Sequence, residues 1–190
     1  MGVREPDSAH DGFRHLLTDR LELRAFSVDD LDEVYRLMSD PRVWRHFPAG
    51  MHTSPRQSAA QLSREEGGWD LDGLGYWTAW LRDADGTFAG VGGCRRHATT
   101  IWNLYYRIRP ELQGNGYATE LARAAIEAAR VVDPALPVVA SVLGHNAGSR
   151  AVATAVGLRP VVQREEAAGL RLLYCDRHVE TAVLERLLGG

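Results

Sequence analysis

The chain has 190 residues, 45% hydrophobic and 25% charged, which suits one domain with a sizeable core. A formal charge of −3 and a pI near 6.2 argue against the concentrated basic face that non-specific nucleic-acid binding requires. No apolar run reaches the length of a membrane span, and the polar start MGVREPDSAHDGFRH lacks the apolar centre of a secretory signal. Cys94 and Cys175 make neither a disulfide framework nor a CxxC pair, and read as small buried hydrophobes in a reducing compartment. The seven histidines have no ligand spacing, so no metal site is expected. The reading is a cytoplasmic protein with a loose arm over residues 1–15 and one domain over 16–190.

In chain order, Leu21, Leu23 and Ala25 alternate with Glu22 and Arg24 as a half-buried strand does. Ser27 then caps a helix whose apolar positions, Leu31, Val34, Tyr35 and Met38, recur at helical spacing to about Ser39. Ser54-Pro55 starts a second, more polar helix. From Gly75 the period changes to that of strands. GYWTAWL and TFAGVGGCR flank the turn DADG, and IWNLYYRI follows as a third strand. A helix is expected from about Gly116 to Val131, with Leu121, Ala124, Ala125 and Ala128 on one face. PVVASVL reads as a strand buried on both faces, and Asn146 opens a helix that ends at Gly157. LRPVVQRE and GLRLLYCDR pair last, and HVETAVLERLL suggests a terminal helix. The order β-α-α-β-β-β-α-β-α-β-β describes one mixed α/β domain.

Chemistry concentrates in two stretches. In ELQGNGYATEL, Gly114 and Gly116 stand just ahead of a helix. The third glycine of a dinucleotide fingerprint is replaced by Thr119, and no Gly-Lys-Ser/Thr loop occurs anywhere. What remains is a run of amides, Gln113 to Thr119, converging on a helix N-terminus. It is either a plain turn or a cradle for phosphate. In HNAGSRAVATAVGL, Asn146 and Ser149 fit helix capping, and Arg150 fits a solvated face.

Taken together, the two stretches resemble the GNAT superfamily of acyl-CoA-dependent N-acyltransferases. Its pattern Gln/Arg-x-x-Gly-x-Gly/Ala is met by Gln113, Gly116 and Ala118. Its later pattern is met by Asn146, Ser149 and Gly157, with Leu158 in place of an aromatic. TDRLELRAFSVDDLDEVYRL, GYWTAWLRDADGTFAGVGG and GYATEL look like the branch containing the ribosomal-protein N-terminal alanine acetyltransferases. The resemblance runs from about Leu17 to Tyr174.

It implies an α/β (α+β) fold with a mixed, mostly antiparallel central sheet splayed at its middle strands and helices on both faces. It also implies acetyl-CoA as co-substrate. The pantetheine arm would pair with backbone at Ile108, and the pyrophosphate would sit on the amides of Gln113, Gly114, Asn115, Gly116, Tyr117, Ala118 and Thr119. Asn146 would reach a pantetheine carbonyl and Arg150 would add charge near the phosphates. The implied reaction is direct attack of a primary amine, a small molecule or a peptide N-terminus, on the thioester in a ternary complex. Members of the family are often homodimers.

The sequence departs from the family at two catalytic positions. The helix position that many members fill with an acidic Tyr is Ala153, and a strand position held in some by Glu is Trp102. Ser149 is then the nearest hydroxyl to serve as acid. Glu165 and Glu166 are candidates for the base, with Glu166 preferred. The competing reading is a module that keeps the fold and CoA affinity but transfers nothing.

Overall fold

Among the described residues, eight strands make one sheet in the order β1-β2-β3-β4-β5-β6-β8-β7, antiparallel throughout except where β5 meets β6. The strands are β1 (His15–Leu17), β2 (Leu21–Ala25), β3 (Tyr76–Leu81), β4 (Phe88–His97), β5 (Ile101–Ile108), β6 (Val138–Leu143), β7 (Arg159–Glu166) and β8 (Gly169–Cys175). The helices are α1 (Leu31–Met38), α2 (Pro55–Asp72), α3 (Tyr117–Val132) and α4 (Ala147–Ala155). This is a computed structural model and it describes residues 11–83, 85–97, 100–180 and 184.

Of the arm expected over residues 1–15, residues 1–10 lie outside the described residues. Asp11–Phe13 form a single 3-10 turn, and His15 opens β1. The terminal helix expected in HVETAVLERLL falls largely outside the described residues, although Leu184 is buried against Ile101, Val139 and Leu173. The other expected elements are present within a residue or two of their sequence boundaries. Ser27 caps a 3-10 turn, accepting from the Asp29 N–H (3.3 Å), and that turn leads into α1. At the start of α2, the Gln57 side chain accepts from the Ser54 N–H (3.2 Å).

The sheet separates two apolar layers. Behind it, α3 sets Leu121, Ala125 and Ala128 against β4 and β5, together with the fully buried Trp77 and Trp102. In front, α1 and α2 cover Val34, Leu62, Tyr76 and Val91. Small residues on both sides of the α3 contact let the helix approach closely. A Cβ added at Gly92 on β4 would lie 2.6 Å from Leu121 Cδ2 and 2.6 Å from the Tyr105 carbonyl. A helix sitting this low on the sheet fixes where its N-terminus, and hence the glycine loop, meets the end of β5.

β5 and β6 are paired only at Trp102 with Val138 and Asn103 with Val139. β5 continues to Ile108 and β6 to Leu143, so the two strands part and leave a wedge in the middle of the sheet. β6 turns its other edge to β8, pairing from Val139 with Cys175 to Leu143 with Arg171. Ser141, on the wedge side, is the one exposed residue of an otherwise buried β6.

The close approach of α3 generates a test. Gly92→Ala should lower the unfolding free energy by about 1–3 kcal/mol through overpacking. The midpoint of a urea titration reports this, and an unchanged midpoint would contradict the tight contact between α3 and β4.

Candidate active site

The loop between β5 and α3 is shaped by backbone conformation. Gly114 and Gly116 both have φ of 83°, a left-handed region that side chains with a Cβ rarely adopt. Gly116 is the N-cap of α3 and offers no side chain to the helix. The first helical hydrogen bond runs from the Glu120 N–H to the Gly116 carbonyl (3.0 Å), so the amides of Tyr117, Ala118 and Thr119 have no intrahelical acceptor. An uncapped N-terminus of this kind attracts an anion through both its free N–H groups and its dipole.

The loop is anchored from two directions. The Gln113 side chain donates from Nε2 to the Ile108 carbonyl (3.0 Å), closing the turn on itself. Glu120 reaches back to the β1–β2 turn, accepting from Thr18 Oγ1 (2.6 Å), the Arg20 N–H (2.8 Å) and Arg20 Nε (2.7 Å). Arg20 also donates to the Asn115 carbonyl (2.9 Å) and lies over the Tyr117 ring at 4.6 Å. Burial opposes ionisation of Glu120, but the hydrogen bonds from Thr18 and Arg20 outweigh it and hold the carboxyl below its ordinary value. Although Glu120 stands in the first turn of α3, it clasps a turn about a hundred positions earlier.

From this loop a groove of about 430 Å³ runs along α4 toward the wedge. Its floor is apolar, with Ile108, Leu112, Val152 and Ala155. Of the residues expected to bind cofactor, Ile108, Gln113, Gly114, Gly116, Tyr117, Ala118, Thr119 and Asn146 line it. Asn115 and Arg150 do not. The Asn115 side chain turns back to the Leu112 carbonyl (3.1 Å), and Arg150 donates to the Gly144 carbonyl (3.3 Å).

Within the wedge lies a second, narrower cavity of about 110 Å³ between β5 and β6. His46, Tyr106, Arg107, Asn146 and Ser149 border both spaces and so mark their junction. Asn146 caps α4, its Oδ1 accepting from the Ser149 N–H (3.1 Å). The Tyr106 hydroxyl crosses the wedge and donates to the Ser149 carbonyl (2.9 Å). Both backbone groups of Ser149 are therefore fixed, and its hydroxyl stands at the junction. Burial raises the Tyr106 phenol to about 12, with its hydrogen bond at Ser149 acting in the opposite sense.

The N–H pattern of β5 follows from its ladder. The Arg109 N–H donates to the Ala89 carbonyl on β4 (2.9 Å). By the two-residue alternation of an antiparallel pair, the N–H groups of Tyr106 and Ile108 point the other way, into the wedge, where β6 has already departed.

Sequence reasoning missed His46, which arrives from the segment between α1 and α2. Its Nε2 accepts from Arg45 Nε (3.2 Å), and its carbonyl accepts from His145 Nε2 (3.1 Å). Desolvation lowers its pKa below the usual 6.5, helped by Arg45, His145 and Arg107, so the ring is neutral near pH 7. Glu166 instead lies on the β7–β8 hairpin, paired with Arg171 Nε (3.1 Å) and Arg164 (3.4 Å), and lines neither space. Glu165 lines neither space as well. Ala153 is fully buried, and Trp102 donates from its indole to the Asp133 carbonyl (3.2 Å) in the core.

A glycine-shaped loop before an uncapped helix, and a groove running into a parted pair of parallel strands, set the frame for comparison. A family model described as an acetyltransferase (GNAT) domain matches residues 20–159. The chain belongs to the GNAT acetyltransferase family. A curated relative, the uncharacterized N-acetyltransferase YnaD of Bacillus subtilis strain 168, is 27% identical over 113 residues. That match spans 60% of this chain and 64% of the relative. Among solved structures, an acetyltransferase from Agrobacterium tumefaciens superposes with a TM-score of 0.72 at 23% identity, covering 93% of this chain and all of the other. RimL, a ribosomal-protein alpha-N-acetyltransferase solved in complex with coenzyme A, gives 0.71 at 15% identity over 84% of this chain and 95% of its own. At these identities the structural likeness is one of fold. Among the described residues of this GNAT domain no group of His, Cys, Asp or Glu could hold a metal ion, and no helix is long and apolar enough to cross a membrane.

The Glu120 clasp carries its own test. Glu120→Gln should destabilise the fold by about 1–2 kcal/mol through loss of charge-assisted hydrogen bonds. Because the native carboxyl is held below 4.5, this contribution is complete above pH 4.5 and fades as pH falls through the depressed value. Denaturation midpoints of both proteins should therefore converge in acid, and a gap that widened there would contradict the assignment.

Proposed function

We propose that the protein transfers an acetyl group from acetyl-CoA to a primary amine by direct attack, with both substrates bound together. The observation that carries this reading is the continuity between the uncapped start of α3 and the junction at Ser149. One unbroken groove joins an anion cradle to Ser149, whose backbone is held at the parted strands. The pyrophosphate would rest on the amides of Gly114, Gly116, Tyr117, Ala118 and Thr119, and the apolar floor suits the pantetheine arm. Asn146, with Oδ1 engaged in capping, would present its Nδ2 to a pantetheine carbonyl.

In the transfer step the amine nitrogen attacks the thioester carbonyl carbon, the C–S bond breaks, and the acetyl group leaves on nitrogen. The inward N–H groups of Tyr106 and Ile108 are positioned for the developing oxyanion. We assign the acid role to Ser149, whose hydroxyl supplies the proton taken by the thiolate and regains one from solvent. Tyr106 acts as a positioning residue by holding the Ser149 carbonyl. His46, neutral at the junction, accepts the amine proton at Nε2 once the exposed Arg45 side chain swings aside. A base at His46 replaces the sequence expectation of Glu166, because Glu166 is tied into the hairpin.

Coenzyme A should raise the melting temperature, and Gly116→Glu, which brings a carboxylate and a Cβ into the cradle, should abolish that rise. A chain whose melting temperature ignores CoA would sink the cofactor assignment.

For the chemistry, Ser149→Ala and His46→Gln should each lower kcat by about 10²-fold while CoA stabilisation persists. In the parent protein, kcat at saturating acceptor should climb with pH through a midpoint below 6.5 as His46 loses its proton. His46→Gln should lack that limb. An identical limb in the variant would remove His46 from the base role.

A further inference from the structure

The inner cavity is lined by cations without a single carboxylate. Arg107 from β5 and Arg171 from β8 both border it, and neither Asp nor Glu appears among the residues lining it or the adjoining groove. Arg45 stands on the groove side, and so does Arg42, which is already paired with Asp40 (2.6 Å) and Glu111 (2.6 Å). Arg171 borders the inner space alone and Arg107 stands at its junction with the groove, on the side from which the acceptor enters in the proposed reaction.

The two arginines are held in place by different means. The Arg107 guanidinium lies over the Trp44 ring at 3.8 Å, donates from Nε to the Tyr105 hydroxyl (3.1 Å) and from Nη1 to the Val43 carbonyl (3.2 Å). No carboxylate pairs with it among the described residues. Its Nη2 makes no hydrogen bond among the described residues. Arg171 is gripped from behind by Glu166 (3.1 Å) and sits 6.0 Å from the Phe47 ring, with only 19% of its side chain exposed. Ordering a rotamer-rich arginine on an aromatic face, with two hydrogen bonds to neutral acceptors, leaves its charge uncompensated while fixing its fork. A protein surface seldom keeps such a charge half-buried unless something anionic meets it.

An ordinary alkylammonium would be repelled here. From this we infer that the acceptor amine carries an oxyanion, a carboxylate or a phosphate, within a few bonds of its amino group, and that Arg107 and Arg171 receive that oxyanion. The cavity volume of about 110 Å³ is below the ~150 Å³ that holds a benzene ring, so the reacting end of the acceptor is compact. The same cations favour the uncharged form of the entering amine, which is the form that attacks. The oxyanion thus draws the acceptor in, while its amino group loses a proton more readily than it would in water.

This inference rests on reading the cleft as an acetyl-transfer site, and the experiment separates the two. CoA-induced stabilisation is measured first, since its absence would fault the cofactor assignment and leave the arginines unaddressed by that step. Thiol release from acetyl-CoA is then followed with matched amines at constant ionic strength: alanine against alaninamide, and phosphoethanolamine against ethanolamine. The same four amines are added to the CoA complex in a thermal-shift measurement, which needs no turnover. The anionic member of at least one pair should be preferred by 30-fold or more in kcat/KM or should alone stabilise the complex. Which pair responds distinguishes carboxylate from phosphate. Arg107→Gln and Arg171→Gln should each cut the anionic-to-neutral ratio at least tenfold, with CoA stabilisation retained as the check on folding. Preference for the neutral members, an unchanged ratio in both variants, or no response to any anionic member by either measurement would each overturn the inference.

Discussion

Two rungs of parallel pairing, Trp102 with Val138 and Asn103 with Val139, hold β5 and β6 together, and the functional part of the molecule depends on their ending there. Backbone N–H groups normally find a ladder partner, and leaving them unpaired inside a fold is costly. Here the inward N–H groups of β5 are left for a ligand. The wedge is flanked by packing and hydrogen-bonding constraints on each side. α3 is seated low on β4 through Gly92, β6 is committed to β8, and Tyr106 spans the gap to α4. With those three contacts in place the strands cannot close on each other.

Charge is arranged along the cleft in the order a two-substrate reaction would need. The uncapped start of α3 lies toward one end and Arg171 at the other, with Arg107 at the junction of the two spaces. Between them sit an amide cap, a hydroxyl and a neutral imidazole. Carboxylates are present nearby but are turned to structural work. Glu120 fastens the glycine loop to Arg20, and Glu166 braces Arg171. Both act on the site through a partner.

Much of this was legible in the sequence wherever a local pattern dictates the outcome. Helical spacing in α3, the cap at Ser27, the strand alternation after Gly75 and the positive-φ glycines 114 and 116 all translate directly into structure. The three-residue β1 carries no periodic signal, so it could not be read. His46 was unreadable for a different reason. The segment WRHFPAG has no regular pattern, and its place over the wedge depends on α1 and α2 folding across the sheet. Arg107 and Arg171 look like ordinary alternating strand residues, and they gain meaning only when β5 and β8 are brought to opposite walls of one cavity. Glu166 was read as a base because charge near a cleft is visible in sequence and its counter-ion is not. The strongly local cofactor loop was therefore the easier half, and the acceptor side, built from distant segments, the harder.

The β7–β8 hairpin lies beyond Arg159, where the family match ends, yet through Arg171 it supplies a wall of the inner cavity. The glycine loop and the strand that opens the wedge both lie inside the matched stretch, as does every residue lining the inner cavity except Arg171. A substitution at Arg171 therefore changes the charge of one cavity wall from outside the matched stretch, while the glycine loop, anchored to the β1–β2 turn through Glu120, keeps its own contacts.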